Sequence, residues 1–191
     1  MDLILFQPGD ASVFPAPNSF PQGGSLIDGK KWMDDSIKLG QCIELVSVHQ
    51  GMKQQVTTDV SNSARTSGRP VITEFTCVKY VDKTSVKMYE YCLRAQPLGT
   101  TDKNPSFLYI LRNSGDKTAN IITFTLRDAL ITELQFQSHP DDMPTEQFKL
   151  NFTEILWTYN VQTAEMKTLG AVTTGWSLAR NRPIAQLSPS A

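Results

Sequence analysis

Alternating apolar and polar residues predict a chain built mainly of β-strands. The pattern begins at residues 3–7, resumes in the β-branched stretch 42–48, and is strongest over residues 71–80. That third segment follows Pro70, a position where a strand tolerates proline. These three segments predict the strands of the first half of the chain.

The second half continues the same pattern. Residues 106–112 and 120–126 are two strand segments joined by Asn-Ser-Gly-Asp, which are turn residues and predict a hairpin. Further strands are predicted at 130–136 and at 175–178. One long strand is predicted from Glu146 to Asn160 between them.

The apolar residues of that long strand change parity partway along. Phe148, Leu150 and Phe152 share one face, whereas Ile155, Trp157 and Tyr159 have the opposite parity. Either a bulge near residues 153–154 restores the face, or the strand crosses from one packed surface to another. We favour a strand that serves two cores, or a core and an interface.

A single helix interrupts the strands. Thr84 or Ser85 can cap its N-terminus, and Val86, Tyr89 and Leu93 recur at helical spacing, before a proline and a glycine that end the pattern. We expect this apolar stripe to pack onto the sheets.

Two stretches lack any strand or helix pattern. Residues 8–41 are rich in proline and glycine, and we interpret them as an insertion over the surface with a short strand near residues 25–27. Residues 57–68 are polar without an apolar period, which predicts a long exposed loop.

These elements predict one domain over residues 1–191, with the insertion at about 8–41. About nine short strands and one helix favour a mainly β fold, either an antiparallel β-barrel or a β-sandwich.

Composition narrows the function. The formal net charge is −1, which offers no basic field for nucleic acid, and no apolar run reaches the roughly 20 residues that span a bilayer. The N-terminal apolar run is short and follows Asp2, unlike a Sec signal peptide. We therefore expect neither nucleic-acid binding nor stable membrane insertion, and synthesis in the cytoplasm.

Catalytic and metal-binding patterns are not found in the sequence. Cys42, Cys77 and Cys92 have no metal-type spacing, and neither His49 nor His139 lies in a signature that would activate a cysteine. Cysteines in apolar stretches usually act as small hydrophobic residues. The acidic pairs Asp34-Asp35 and Asp141-Asp142 are typical of turns. We predict no enzyme, no cofactor and no metal site.

Four blocks follow one another along the chain: Cys42–Leu45 with Ser47 and Gly51, Phe75–Met88, Met143–Tyr159 and Thr174–Asn181. They resemble the patterns W-I-E-V-x-S-x-x-x-G, F-x-x-x-K-x-x-D-K-x-S-x-K-L, PTE…WTY and GW-x-L-x-x-N. These are patterns of the haemolysin-coregulated protein (Hcp) family of type VI secretion. Cys42 stands where the family usually has tryptophan, and residues 8–41 are longer than the usual first connection.

The resemblance implies a compact antiparallel β-barrel of two packed sheets with one flanking α-helix. This domain would assemble with itself into a homohexameric ring. Rings would stack into a tube housed in a contractile sheath and capped by a VgrG spike, with effector proteins in the lumen. Sheath contraction would carry this cytoplasmic protein of a Gram-negative bacterium outside the cell without a signal peptide.

A ring also needs a contact that reaches the neighbouring subunit, and the polar run 57–68 is the predicted arm; its other interpretation is a surface loop. The interface candidates are Thr57, Thr58, Ser61, Asn62, Ser63, Arg65 and Thr66.

Two other functions are alternatives to that of a tube subunit. One is a solitary secreted member of the family that acts mainly as an effector carrier, which would form rings that do not stack. The other is an enzyme or toxin, for which the short segment after Arg182 leaves no room for a fused domain.

Overall fold

The computed structural model describes residues 3–14, 42–59, 64–100, 102–114, 117–162 and 168–189. In this part of the chain one α-helix, α1 (Ser85–Leu93), accompanies fifteen β-strands. The strands are β1 (Leu3–Gln7), β2 (Ile43–Leu45), β3 (Ser47–His49), β4 (Met52–Lys53), β5 (Val56–Asp59), β6 (Ala64–Ser67), β7 (Val71–Ile72), β8 (Phe75–Tyr80), β9 (Ser106–Ser114), β10 (Lys117–Arg127), β11 (Leu130–Gln137), β12 (Thr145–Asn151), β13 (Glu154–Gln162), β14 (Thr168–Ser177) and β15 (Arg182–Pro183).

Two antiparallel sheets form the body of the fold, which confirms the predicted class. The seven-stranded sheet has the order β15-β14-β13-β10-β9-β1-β2, and the four-stranded sheet has the order β11-β12-β8-β3. The chain passes between the sheets at Val46, at residues 128–129 and at residues 152–153. Two short ribbons, β4–β7 and β5–β6, are separate from both sheets.

The main core lies between the two sheets and is rich in aromatic rings. Phe75 of the four-stranded sheet meets Phe124 of the seven-stranded sheet edge to face, with ring centroids 5.0 Å apart. Phe6 and Phe148 make a second contact between the sheets, at 5.9 Å. Such pairs add about 0.5–1.5 kcal/mol beyond their buried area, so these contacts help to hold the sheets together.

The parity change in the predicted long strand marks a passage between sheets. Residues 145–162 form two strands, because β12 pairs with β8 and β11 whereas β13 pairs with β10 and β14. Phe152 and Ile155, on either side of the break, are both buried in the same core. A single continuous strand was therefore wrong, and the crossing alternative is the one that the structure adopts.

The start of the predicted insertion packs inside the fold, where a surface position was expected. Residues 11–13 form one turn of 3-10 helix, and Val13 and Phe14 are buried in the main core. Tyr91 of α1 donates a hydrogen bond to Asp10 Oδ2 at 2.6 Å, which fixes this turn against the helix. The rest of the insertion, with the strand predicted near residues 25–27, lies outside the described residues.

Helix α1 has the predicted position but presents the opposite face to the sheets. Val86 is 76% exposed and Leu93 is 85% exposed, whereas Met88 and Tyr91 are buried. The prediction that Val86, Tyr89 and Leu93 pack on the barrel was therefore wrong. The inner face also carries the buried polar residue Ser85, which makes it hard to recognise from hydrophobicity alone.

Alanine substitutions on α1 should distinguish the buried face of the helix from its exposed face. Met88→Ala is expected to lower the free energy of unfolding by about 2–5 kcal/mol, as buried methionine truncations do. Leu93→Ala is the matched control and should leave stability within about 0.5 kcal/mol, because its side chain is exposed. Urea unfolding of both variants measures the difference. An equal loss in both would contradict the observed orientation of the helix.

The described C-terminal segment is tied to the seven-stranded sheet by a buried carboxylate. Ser188 donates to Glu154 from its backbone N–H at 2.8 Å and from its hydroxyl at 2.7 Å. Burial would raise the pKa of Glu154, but the hydrogen bonds from Ser188 and Ser177 and the charge of Arg127 lower it below its usual value. The stabilisation is therefore present above the usual glutamate pKa and is lost as pH falls through the lowered one.

Candidate assembly surfaces

Four of the seven predicted interface residues lie on a β-ribbon that we call the arm, the described part of residues 51–73. At its base β4 pairs with β7, and Thr73 donates from its backbone N–H to Gly51 O at 2.9 Å. Beyond the base, β5 pairs with β6 up to the pair Asp59 and Ala64. The interpretation of residues 57–68 as a loop was therefore wrong. A polar run without an apolar period can form a strand when neither face is part of a core.

The candidate residues divide between the two strands of the arm. Thr57 is the Cα partner of Thr66, and Thr58 is the partner of Arg65. Ser61, Asn62 and Ser63 lie outside the described residues. The structure therefore places four candidates on one ribbon, and their role as an interface stays a prediction.

A bulge separates the base of the arm from its outer part. Lys53 is opposite Val71, and Gly68 donates from its backbone N–H to Gln55 O at 2.9 Å. Between these positions Arg69 and Pro70 stand opposite the single residue Gln54. A two-against-one count kinks a ribbon and increases its twist. The guanidinium of Arg69 donates to Leu178 O, so the kink is anchored to the body of the fold.

The seven-stranded sheet extends its core-facing side beyond the core. Trp157 is 37% exposed, Tyr159 is 49% exposed and Val172 is 67% exposed, and the register puts them on the same face as buried Ile155 and Phe124. We call Trp157, Tyr159, Val161 and Val172 the shelf. Contiguous exposed apolar surface of this kind marks interaction sites.

The shelf continues into a groove beside the base of the arm. The groove has a volume of about 360 Å³, and its walls come from the arm and from β13 and β14. Its apolar lining includes Met52, Pro70, Ile72, Trp157 and Trp176. The shelf, the groove and the arm therefore adjoin one another on one side of the molecule.

Two of the long strands, β14 and β11, have an edge with few or no pairings among the described strands. β14 pairs with β15 only at Trp176 and Ser177, so its segment 168–174 has a partner on the β13 side alone among the described strands. β11 pairs with β12 on one side, and on the other side only Leu130 forms a bridge, to Pro97. Unpaired edges of this kind can pair with another chain.

Charged residues from the second and third sequence blocks meet in a buried ionic network. Lys79 Nζ lies 2.9 Å from Glu146 Oε1 and 3.0 Å from Asp82 Oδ1, and the side chains of Lys79 and Glu146 are completely buried. Ser85 donates its hydroxyl to Glu146 Oε1 at 2.8 Å. The network therefore ties the start of α1 to strands β8 and β12, and its role is to fix the fold.

The three cysteines are in the thiol form and lie in apolar surroundings. Cys42 and Cys77 are buried, and Cys92 is partly buried beside the main core. Burial raises the pKa of Cys42 to about 12 and also raises that of Cys77, which keeps both thiols protonated at neutral pH. These are the properties of packing residues, as predicted for Cys42 and Cys77.

Three further observations concern the described residues alone. Asp141 has a φ of 67° in a turn, and Asp142 accepts from the Met143 N–H at 2.8 Å, as expected for turn residues. Within the described ranges, no three His, Cys, Asp or Glu side chains are grouped to hold a metal ion. None of the helices there is long and apolar enough to cross a membrane.

The described residues form a β-barrel of two packed antiparallel sheets with exposed apolar residues on one sheet. The family model described as "Type VI secretion system effector, Hcp" matches residues 27–159, which is more than half of the chain. The chain therefore belongs to the Hcp family of type VI secretion proteins.

Solved structures show the same fold. A type six secretion system protein superposes with a TM-score of 0.72 at 19% identity, over 96% of this chain and 100% of that chain. Hcp1 from Salmonella typhimurium gives a TM-score of 0.63 at 19% identity, over 96% and 99%. A type VI secretion system effector from Yersinia pestis gives 0.52 at 18% identity, over 91% and 98%. A comparison with curated proteins finds no match.

Proposed function

We propose that this chain is the tube subunit of a type VI secretion system and assembles into rings of six. The observation that carries the proposal is the match to the Hcp family together with an exposed arm, an apolar shelf and open strand edges on one chain. A closed ring requires two different surfaces that meet head to tail. The arm and the shelf adjoin one another at the groove, so together they supply one of these surfaces.

In this proposal residues 1–191 act as one domain, and the rings stack into a tube inside a contractile sheath. A VgrG spike caps the tube, and sheath contraction expels it together with effector proteins held in the lumen. The open edge of β14 and the apolar shelf are satisfied by a neighbouring subunit, which removes the hazard of an exposed edge. Electron micrographs in side view separate stacked rings from single rings, the form expected of a solitary effector carrier.

The arm gives a direct test of ring formation. Val56 and Ser67 are Cα partners, so residues 57–66 can be replaced by the two-residue turn Asn-Gly. We expect the variant to keep the fold, because β5 and β6 pair only with each other, but to lose the ring.

Circular dichroism reports the fold and sedimentation velocity reports the ring, and both are measured on one sample. The control variant, Leu93→Ala on the exposed side of α1, leaves the arm unchanged and should keep both the fold and the ring. A native spectrum with separate subunits for the Asn-Gly variant supports the arm. A native spectrum with intact rings would show that the arm is surface only.

A further inference from the structure

Two contacts attach the arm to the body of the fold. Ile72 of β7 packs against the main core at the base of the arm. Arg69, at the kink, donates from its guanidinium to the carbonyl oxygen of Leu178, the residue after β14. Two separate points of attachment fix the direction of a ribbon, whereas a single point would leave the ribbon free to pivot.

The acceptor of the Arg69 hydrogen bond is held in place from several sides. Leu178 donates its backbone N–H to Thr153 O at 2.9 Å, and its side chain packs against the main core. The preceding residue, Ser177, is completely buried and forms a side-chain hydrogen bond with Glu154. The carbonyl oxygen of Leu178 is therefore a fixed acceptor at the end of the seven-stranded sheet.

The donor is restrained by its own stretch of sequence. Pro70 follows Arg69, and a proline limits the residue before it to extended backbone conformations. Both residues stand opposite Gln54 in the bulge, which kinks the ribbon at this point. The proline and the bulge therefore fix the backbone from which the Arg69 side chain reaches the sheet.

The Arg69 hydrogen bond crosses one end of the groove. Pro70, next to Arg69, belongs to the arm wall of the groove, and Trp176 of β14 belongs to the sheet wall. The walls are apolar but stay apart, since Met52 of the arm is 55% exposed and Trp157 of the sheet is 37% exposed. Apolar surfaces that face each other gain free energy when they close and exclude water. A restraint is therefore needed to keep the groove open.

We propose that Arg69 is a positioning residue for assembly, which holds the arm away from the seven-stranded sheet and keeps the groove open for a second copy of this chain. This inference rests on the proposed function and deepens it. The second copy is the occupant because the groove is continuous with the shelf, which the proposed function assigns to a neighbouring subunit.

Loss of the bond to Leu178 O lets the arm close onto the sheet within one chain. Met52 then packs on Trp157, and the apolar lining of the groove is buried without a neighbour. A closed subunit cannot receive another subunit, so rings form only from the fraction of subunits that is open. The apparent affinity between subunits falls by that fraction.

Disulfide trapping measures closure of the groove. Met52→Cys and Thr174→Cys place one thiol on each wall, in a Cys92→Ser background in which the other two cysteines are buried. Oxidised glutathione joins the two thiols only when the walls approach each other, and denaturing gels separate the intrachain product from products that link two chains. The rate is compared between chains with Arg69 and with Arg69→Ala. Lys53→Ala, which removes a cation from the same arm wall, is the matched control.

A second measurement follows the ring in chains without the added cysteines. Sedimentation velocity over a series of concentrations gives the midpoint at which half of the subunits are in rings. Urea unfolding of the same variants reports whether the fold is retained. Arg69 is exposed, so we expect its substitution to leave the urea midpoint unchanged.

We expect Arg69→Ala to speed formation of the intrachain disulfide by about two- to tenfold, which is the change in an open-to-closed ratio when one hydrogen bond is lost. The same substitution should raise the midpoint concentration of ring formation several-fold. Lys53→Ala should change neither the disulfide rate nor the ring midpoint.

Two results would overturn the inference. An equal or slower rate in Arg69→Ala would show that Arg69 does not hold the groove open. A faster rate with an unchanged ring midpoint would show that assembly does not need an open groove. Both results leave the proposed function standing, because rings still form. The absence of rings in the unmodified protein at every concentration would contradict the proposed function itself, and the disulfide rate of single chains would still test the role of Arg69.

Discussion

Truncating Glu146 to alanine is expected to lower the free energy of unfolding by about 3–5 kcal/mol, since it leaves a buried cation without its partner. The Lys79 ammonium lies 2.9 Å from the Glu146 carboxylate, and neither side chain is exposed. Asp82, 31% exposed, is the other carboxylate in contact and cannot replace a fully buried one. The loss should also loosen the start of α1, because Ser85 donates its hydroxyl to Glu146.

Urea unfolding followed by circular dichroism measures this loss, and two controls interpret it. The double variant Lys79→Met with Glu146→Leu removes both charges and should recover most of the stability, because apolar pairs of similar volume often replace buried ion pairs without loss. Glu90→Ala breaks an exposed ion pair with Lys87 and should leave the urea midpoint unchanged.

The opposite outcome is equally clear. A loss below about 1 kcal/mol for Glu146→Ala would match an exposed ion pair and would contradict the buried network. If Glu146→Ala does not fold, the double variant still distinguishes a buried ion pair from an exposed one. The double variant regains stability only if the unpaired Lys79 charge caused the loss.

The ionic network shows what the sequence could and could not predict. Lys79, Asp82, Ser85 and Glu146 all lie in the blocks that resemble the Hcp family, so the residues were recognisable. The contact between them was not predictable, because Lys79 and Glu146 are far apart in the chain. They become Cα partners only when β8 pairs with β12. Contacts across a sheet depend on strand order, which local patterns do not contain.

Helix α1 illustrates a different limit. The periodicity of Val86, Tyr89 and Leu93 predicted a helix at the observed position, yet these residues face outward. Periodicity identifies a face and not its partner. The inner face combines buried Met88 with Tyr91 and Ser85, whose hydroxyls bond to Asp10 and Glu146, so hydrogen bonding made a less apolar face the buried one.

The passage between the sheets in the second half was predictable because its signal is local in the sequence. The parity change between Phe152 and Ile155 is a local property of the sequence, and it marked the passage between sheets. Residues 57–68 of the arm were predicted as a long exposed loop and not as a ribbon, since a strand pair without a core leaves no apolar alternation to detect.

Charged residues on the shelf are expected to separate the ring into single subunits. Tyr159 and Val172 are Cα partners on the exposed face, so Tyr159→Lys with Val172→Glu places opposite charges side by side. Opposite charges at such positions support a strand pair, and we therefore expect the isolated subunit to keep its fold. In the ring both charges would lose their water, which costs several kcal/mol per ion at each contact.

The control introduces charge at an exposed apolar residue elsewhere. Leu93→Glu adds a carboxylate on α1, which packs on β11 and away from the shelf, and should leave the ring intact. Sedimentation velocity compares the variants at equal concentration. Intact rings in the shelf variant would show that the shelf is not a subunit contact.

The mass of the unmodified protein in solution tests the central claim most directly. Light scattering coupled to size exclusion should give six times the chain mass of 21.3 kDa, as a closed ring of six subunits requires. A stable species of 21.3 kDa at every concentration tested would contradict the account, because the arm, the shelf and the open strand edges would then have no neighbouring subunit.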